Sequence, residues 1–186
     1  VALCLLEYCK AKDLALPARI CTGSSSCNKL LVKAYQLEMP AYIRFSVGSA
    51  SLFAGEGLPI DKGKGNYQAA ILGACAGAHY VRHVAPAYGI PVIVHSDYCT
   101  KELLPWFDGM LEADEVFYKE HGEALFTSHS LDLSGEPHEE NDKTCKKYFE
   151  RMAEMDLILE IKEDGDWTRH FVFRSLVEVA RAGRLK

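Results

Sequence analysis

Residues able to do chemistry gather where apolar runs end. "PAYIRFS" (40–46) closes on Ser46, "IPVIVHSD" (90–97) closes on His95 and Asp97, and "EALFTSHSLD" (123–132) carries His129 and Asp132. A set of two imidazoles and two carboxylates could ligate a metal ion. Packed or hydrogen-bonded histidines explain the same pattern without a metal, and that is the better reading for His95 and His129. His79 and His83 share a helix face at i, i+4. With no third ligand nearby they read as a solvated or interface pair. Gly48, Gly55 and Gly57 could cradle a phosphate, but turn glycines account for them as well. Cys99 stands where a helix is expected to begin, so a helix dipole could lower its pKa; a buried structural thiol is the favoured alternative.

The elements that must position these groups follow an alternating pattern. Helical spacing is expected over 2–12, 24–38, 67–89, 100–122 and 137–155, with Cys145, Phe149 and Met152 on the apolar side of the last. Pro105 marks a kink or a late start in the fourth of these helices. Apolar runs at 14–22, 40–46, 90–97, 123–132 and 156–162 read as strands. Strands that alternate with helices indicate βαβ units and a parallel sheet. Their nearly continuous apolar character suits strands covered on both faces. The glycine-rich stretch 47–66 reads as one long loop, the kind that often serves function.

Composition narrows the classes further. The chain has 186 residues, 48% hydrophobic and 25% charged, with net charge −5. That suits one soluble globular domain and offers no basic field for nucleic acid. No run is long enough to span a membrane. Seven cysteines form no C-x-x-C pair and no secretory segment precedes them, so a reduced, cytoplasmic setting is expected. No G-x-G-x-x-G or P-loop follows a strand. Polar groups at the carboxyl ends of successive strands match the placement of chemistry in a (β/α)₈ barrel. Such a barrel needs about 250 residues, so the fold class expected is α/β, a partial (β/α)₈ (TIM) barrel of about five βα units. Residues 1–162 form it, and a divergent, helical tail occupies 163–186. That tail reads either as a helix covering an open barrel edge or as sequence without selected structure.

"FAGEGL" (53–58) and the run from Ala69 to Asp132 that carries "AAILGACAGAHYVRHVAPAYGIPVIVHSD", "KELLPWFDGMLEADE" and "FYKEHGEALFTSHSLDLS" resemble the class II, zinc-dependent fructose-bisphosphate aldolases. The resemblance covers about residues 1–161. It implies a homodimeric barrel and reversible cleavage of fructose 1,6-bisphosphate to dihydroxyacetone phosphate and glyceraldehyde 3-phosphate. It also implies a zinc ion that polarises the ketone carbonyl. By the same resemblance Asp97 is the acid–base residue, Ser46 contacts substrate, and Asp132 belongs to a second metal position.

Three positions depart from the family's pattern. Tyr98 stands where a zinc-binding His is expected, Lys162 where a metal-site Glu is expected, and Ile20 where an Asn contacts substrate. A tyrosine phenol ionises only near pH ~10, which makes it a poor zinc ligand at neutral pH. A lysine brings a cation to a position meant for a dication. These replacements speak against zinc binding by this chain. The expectation is therefore an aldolase-type chain that looks truncated and is inactive alone. The alternative is a non-catalytic homologue that binds sugar phosphate, or pairs with itself or a full-length aldolase as a decoy. Neither reading calls for nucleic acid or a membrane.

Overall fold

The computed structural model describes residues 11–12, 18–55, 58 and 67–162. Of the helix expected over 2–12 only Ala11 and Lys12 are described, both helical. The expected tail at 163–186 and Gly57 lie outside the described residues. Five parallel strands lie in sequence order, β1 (Ala18–Ile20), β2 (Ala41–Phe45), β3 (Val92–Cys99), β4 (Ser128–Asp132) and β5 (Ile158–Lys162). The chain divides into two compact units, Val1–Ser96 and Asp97–Lys186, and β3 passes from one into the other.

In the first unit β2 is the central strand, and its pattern shows why. Ala41, Ile43 and Phe45 are fully buried while Tyr42 and Arg44 are half-buried. Parallel pairing sets Ile20 against Arg44 on one side, and Ala41 against Val92 through Phe45 against Ser96 on the other. Helix α1 (Ser24–Gln36) begins at Gly23, where the Ser26 hydroxyl accepts from the amides of Thr22 and Gly23 and donates to the Gly23 carbonyl. It buries Cys27, Leu31 and Ala34 at helical spacing.

The long loop expected over 47–66 is instead helical at its start. Helix α2 spans Val47–Ala54, capped by Ser46, whose Oγ accepts from the Ser49 amide while Ser49 Oγ accepts from the Ser46 amide. Tertiary contact overrides a composition that suggested a loop. Helix α3 (Gln68–Tyr88) presents Gly73 to α2 so closely that a Cβ there would stand 1.7 Å from the Ala50 carbonyl oxygen. A Cβ on Gly77 would stand 2.5 Å from the Phe45 ring. The small residues of α3 are thus the means by which α2 and β2 are seated.

In the second unit a 3₁₀ turn (Lys101–Leu103) precedes α4 (Leu104–His121), with Pro105 in its first turn. The proline is a late start, not a kink, since its missing N–H is unneeded there. Helix α4 buries Trp106, Phe107, Met110, Leu111 and Asp114. β4 is buried throughout but shorter than expected, because residues 123–127 bend before it. Helix α5 (His138–Ala153) turns Tyr148 and Met152 fully inward, whereas Cys145 and Phe149 are only half-buried. The Phe107 ring packs edge-on to Tyr148 at 4.9 Å. Arg151 ties α5 to α4 by bonding Asp108 and Glu115.

Candidate functional site at the strand ends of the second unit

The parallel register of β4 and β5 pairs Ser128 with Ile158 and, four residues on, Asp132 with Lys162. The two residues therefore finish neighbouring strands side by side. Lys162 Nζ lies 2.8 Å from Asp132 Oδ2 and 3.3 Å from Tyr98 Oη, and 5.2 Å from the centroid of the Tyr98 ring. The other carboxylate oxygen, Oδ1, accepts from the Ser134 hydroxyl at 2.6 Å and from the Ser134 amide at 3.3 Å. Burial by itself would raise the Asp132 carboxyl. The Lys162 ammonium and the Ser134 donors, joined by Tyr98, outweigh it and hold the group below the ordinary carboxylate range. Lys162 is correspondingly raised, first by its bond to Asp132 and then by Tyr98.

Tyr98 reaches this cluster through an uncommon backbone. Its φ is 65°, in the left-handed region that a bulky side chain rarely adopts. The Tyr98 amide donates to Ser130 Oγ at 2.9 Å, which anchors the strained residue. The side chain is left 45% exposed, so the phenol sits at the surface end of the cluster. Asp97, the preceding residue, is buried.

The structure brings together three of the residues singled out above: Tyr98, Asp132 and Lys162. Ser46 lies in the first unit, half-buried as the cap of α2. Ile20 ends β1 with 54% of its surface exposed. His95 is buried edge-on against Tyr42, with ring centroids 5.4 Å apart. His129 is buried with Nε2 2.7 Å from Asp114 Oδ2. Both histidines are packed strand residues. His79 and His83 are exposed on α3. Gly48 is inside α2, and Gly55 ends that helix at φ 99°. Cys99 belongs to β3, not to a helix start, and its buried thiol donates to the Thr100 carbonyl at 3.5 Å. Burial, then the charge of Asp108, pushes that thiol up, which overturns the helix-dipole expectation.

Sequence reasoning missed Asp114, Ser130 and Ser134. Asp114 had a signal: it continues the stripe of Trp106, Phe107, Met110 and Leu111, where a carboxylate needs buried partners. The two serines had none, since their role depends on strand register.

Residues 2–165 match the family described as fructose-bisphosphate aldolase class-II. This chain belongs to that family. A fructose-bisphosphate aldolase of Saccharomyces cerevisiae is 53% identical over 158 residues, which are 85% of this chain and 43% of that protein. The class 2 enzyme of Escherichia coli is 45% identical over 158 residues with the same coverage. A crystal structure of fructose-bisphosphate aldolase from Campylobacter jejuni superposes with a TM-score of 0.76 at 41% identity, covering 84% of this chain and 43% of that one. The chain thus spans less than half the length of these aldolase relatives, and the partial-barrel reading agrees with that coverage.

Class II aldolases depend on zinc, so the strand-end cluster can be tested for fit. The residues present do not suit a dication. An ammonium already takes one oxygen of Asp132, and the neighbouring Tyr98 phenol oxygen accepts from the same ammonium. Among the described residues no three His, Cys, Asp or Glu side chains are arranged to hold a metal ion. Of the alternative set of His95, Asp97, His129 and Asp132, His129 has its Nε2 2.7 Å from Asp114 Oδ2.

Proposed function

We propose that this chain is a class II fructose-bisphosphate aldolase polypeptide by descent that catalyses little or no aldol cleavage on its own. The observation that carries the reading is the Lys162 ammonium 2.8 Å from Asp132, at the end of β5. A zinc ion supplies Lewis-acid stabilisation of an enediolate only where its ligands are anionic or neutral lone-pair donors. A lysine cation offers N–H groups and repulsion instead. Asp97 keeps the residue type for acid–base work at the aldehyde-derived hydroxyl, and Ser46 keeps a hydroxyl for the substrate; without the metal electrophile neither lowers the main barrier. The setting that fits is cytoplasmic, and no described helix is long and apolar enough to cross a membrane.

The test is cleavage of fructose 1,6-bisphosphate by the full chain with Zn²⁺ added, beside an Asp97→Ala variant. Equal, background-level rates are expected. Turnover well above the variant, or stoichiometric zinc in the purified chain, would sink the proposal.

A second reading is a binding homologue that pairs with a full-length aldolase or a second copy of itself. Leu52 on α2 and Leu72 on α3 favour it, each with two-fifths or more of its surface exposed on closely packed helices. Co-purification with a full-length aldolase would support it; a lone monomer with no affinity for sugar phosphate would count against it.

A further inference from the structure

We propose that the cavity at the amino-terminal ends of β2 and β3 binds a small organic ammonium ion, one whose nitrogen carries methyl groups. The cavity holds about 300 Å³, the lower end of the ~300–1,000 Å³ usual for small-molecule sites. All of its lining residues belong to the first unit. Pro40 immediately precedes β2 and Pro91 immediately precedes β3, and the Ala41 amide donates to the Pro91 carbonyl at 2.9 Å. The cavity is therefore at the other end of β2 from Ser46.

Three features favour a positive charge there. Tyr35, in the last turn of α1, and Tyr88, the last residue of α3, both line the cavity, with ring centroids 6.2 Å apart and planes inclined at 58°. A cation in that corner can stand within ~6 Å of both centroids, the reach of a cation–π contact. Both helices end at the cavity, α1 after 13 residues and α3 after 21, so its wall receives the negative ends of two helix dipoles. The third feature is Glu38, which also lines the cavity. The chain leaves α1 through a turn in which the Glu38 amide donates to the Tyr35 carbonyl at 3.1 Å and the Met39 amide to the Ala34 carbonyl at 3.0 Å. That turn requires positive φ at position 38, where glycine is the favoured residue. Glu38 adopts φ 52°, whereas α3 ends on Gly89 at φ 64°. A carboxylate thus stands, at a cost in backbone strain, where glycine would fit freely. Among the described residues lining the cavity, none is basic.

The rest of the wall selects the kind of cation. Met39, Pro40, Ile90 and Pro91 present hydrocarbon and thioether surface. A hard metal ion wants six or so oxygen ligands, and the side chains here supply one carboxylate and two phenols. A methylated ammonium has a diffuse charge for the rings and the carboxylate, and methyl groups that pack on the apolar wall.

The test uses choline as the probe, beside 3,3-dimethylbutan-1-ol, which has the same shape without the charge. The full chain, labelled on its tyrosine rings, is titrated with each and followed by NMR. Choline should saturate in the millimolar range and move the Tyr35 and Tyr88 signals, and the neutral alcohol should bind at least several-fold more weakly. Tyr35→Leu keeps apolar area at a position 57% exposed and should weaken choline about five-fold. Glu38→Gly should weaken choline several-fold while raising the urea midpoint, because glycine relieves the positive φ; damage to the fold would lower both. Vesicles of phosphatidylcholine carry the same head group but should not retain the chain, since the lipid phosphate would meet Glu38. Equal affinity for the neutral alcohol, unchanged choline binding in both variants, shifts confined to other tyrosines, or retention by vesicles without binding of free choline would each overturn the proposal.

Discussion

Removal of the Asp114 carboxylate tests how the second unit is held together. Asp114 is fully buried on α4, with Oδ1 accepting from the Phe126 amide at 2.7 Å and Oδ2 2.7 Å from His129 Nε2. It thus fastens both the bend before β4 and β4 itself to the helix. Asp114→Ala leaves a buried amide and a buried imidazole without this acceptor, each at about 1–3 kcal/mol. The sum, about 4 kcal/mol, agrees with the ~3–5 kcal/mol typical of breaking a buried pair from one side. Against a total stability of ~5–15 kcal/mol this is a large fraction. With a urea slope of about 2 kcal/mol/M the unfolding midpoint should fall by about 2 M. Asp114→Asn keeps an oxygen for the Phe126 amide, and His129 can meet the new N–H₂ by exchanging tautomers, so its loss should be nearer ~1–2 kcal/mol. The assay is urea unfolding followed by tryptophan fluorescence and by circular dichroism. An Ala variant within ~0.5 kcal/mol of wild type would refute the assignment, as would an Asn variant less stable than the Ala one.

Other perturbations have equally definite outcomes. Lys162→Met should move the Asp132 carboxyl upward, because burial then faces weaker opposition; carboxyl carbon NMR titration reads this, and an unmoved value would contradict the pairing. Since the folded Asp132 is held below its unfolded value, its contribution to stability is complete above the ordinary carboxylate range and is lost as pH falls below ~4. Lys162→Met should flatten that acid-side loss in urea midpoints measured from pH ~5 downward. Tyr98→Asn should hold or raise the melting temperature, since Asn tolerates φ 65° and relieves up to about 1 kcal/mol of strain at a half-exposed position. Gly73→Ala should lower stability by about 3 kcal/mol or prevent folding, because the Cβ would meet the Ala50 backbone and not a movable side chain; a shift below ~0.5 kcal/mol in urea would show that α2 and α3 separate easily.

Sequence patterning carried the described elements from β2 onward to within a few residues, because each strand there is a long apolar run and each helix an amphipathic one. Where it failed, a distant contact decided the outcome. "VGSASLFA" has the small residues of a loop, yet it is a helix because Ser46 and Ser49 cap it and Gly73 lets it settle against α3. The expected strand ended at Asp97 with Cys99 at a helix start, whereas β3 runs on to Cys99, since a bulky residue at positive φ within a strand leaves no local signature. Tyr98, Asp132 and Lys162 were singled out through family resemblance. That Lys162 touches Asp132 was not legible, because the register of β4 on β5 is set by packing between them.

The ammonium at the end of β5 has a consequence beyond its two hydrogen bonds. A positive charge carried by a side chain arrives with translation and stays with the polypeptide. Chelators cannot strip it, and the supply of trace elements in the surroundings does not set its occupancy. Only strong alkali or a covalent acyl group on the amine removes it. The electrostatics of this rim are therefore hereditary rather than environmental: a codon, not a concentration, determines the sign of the charge that faces Asp132.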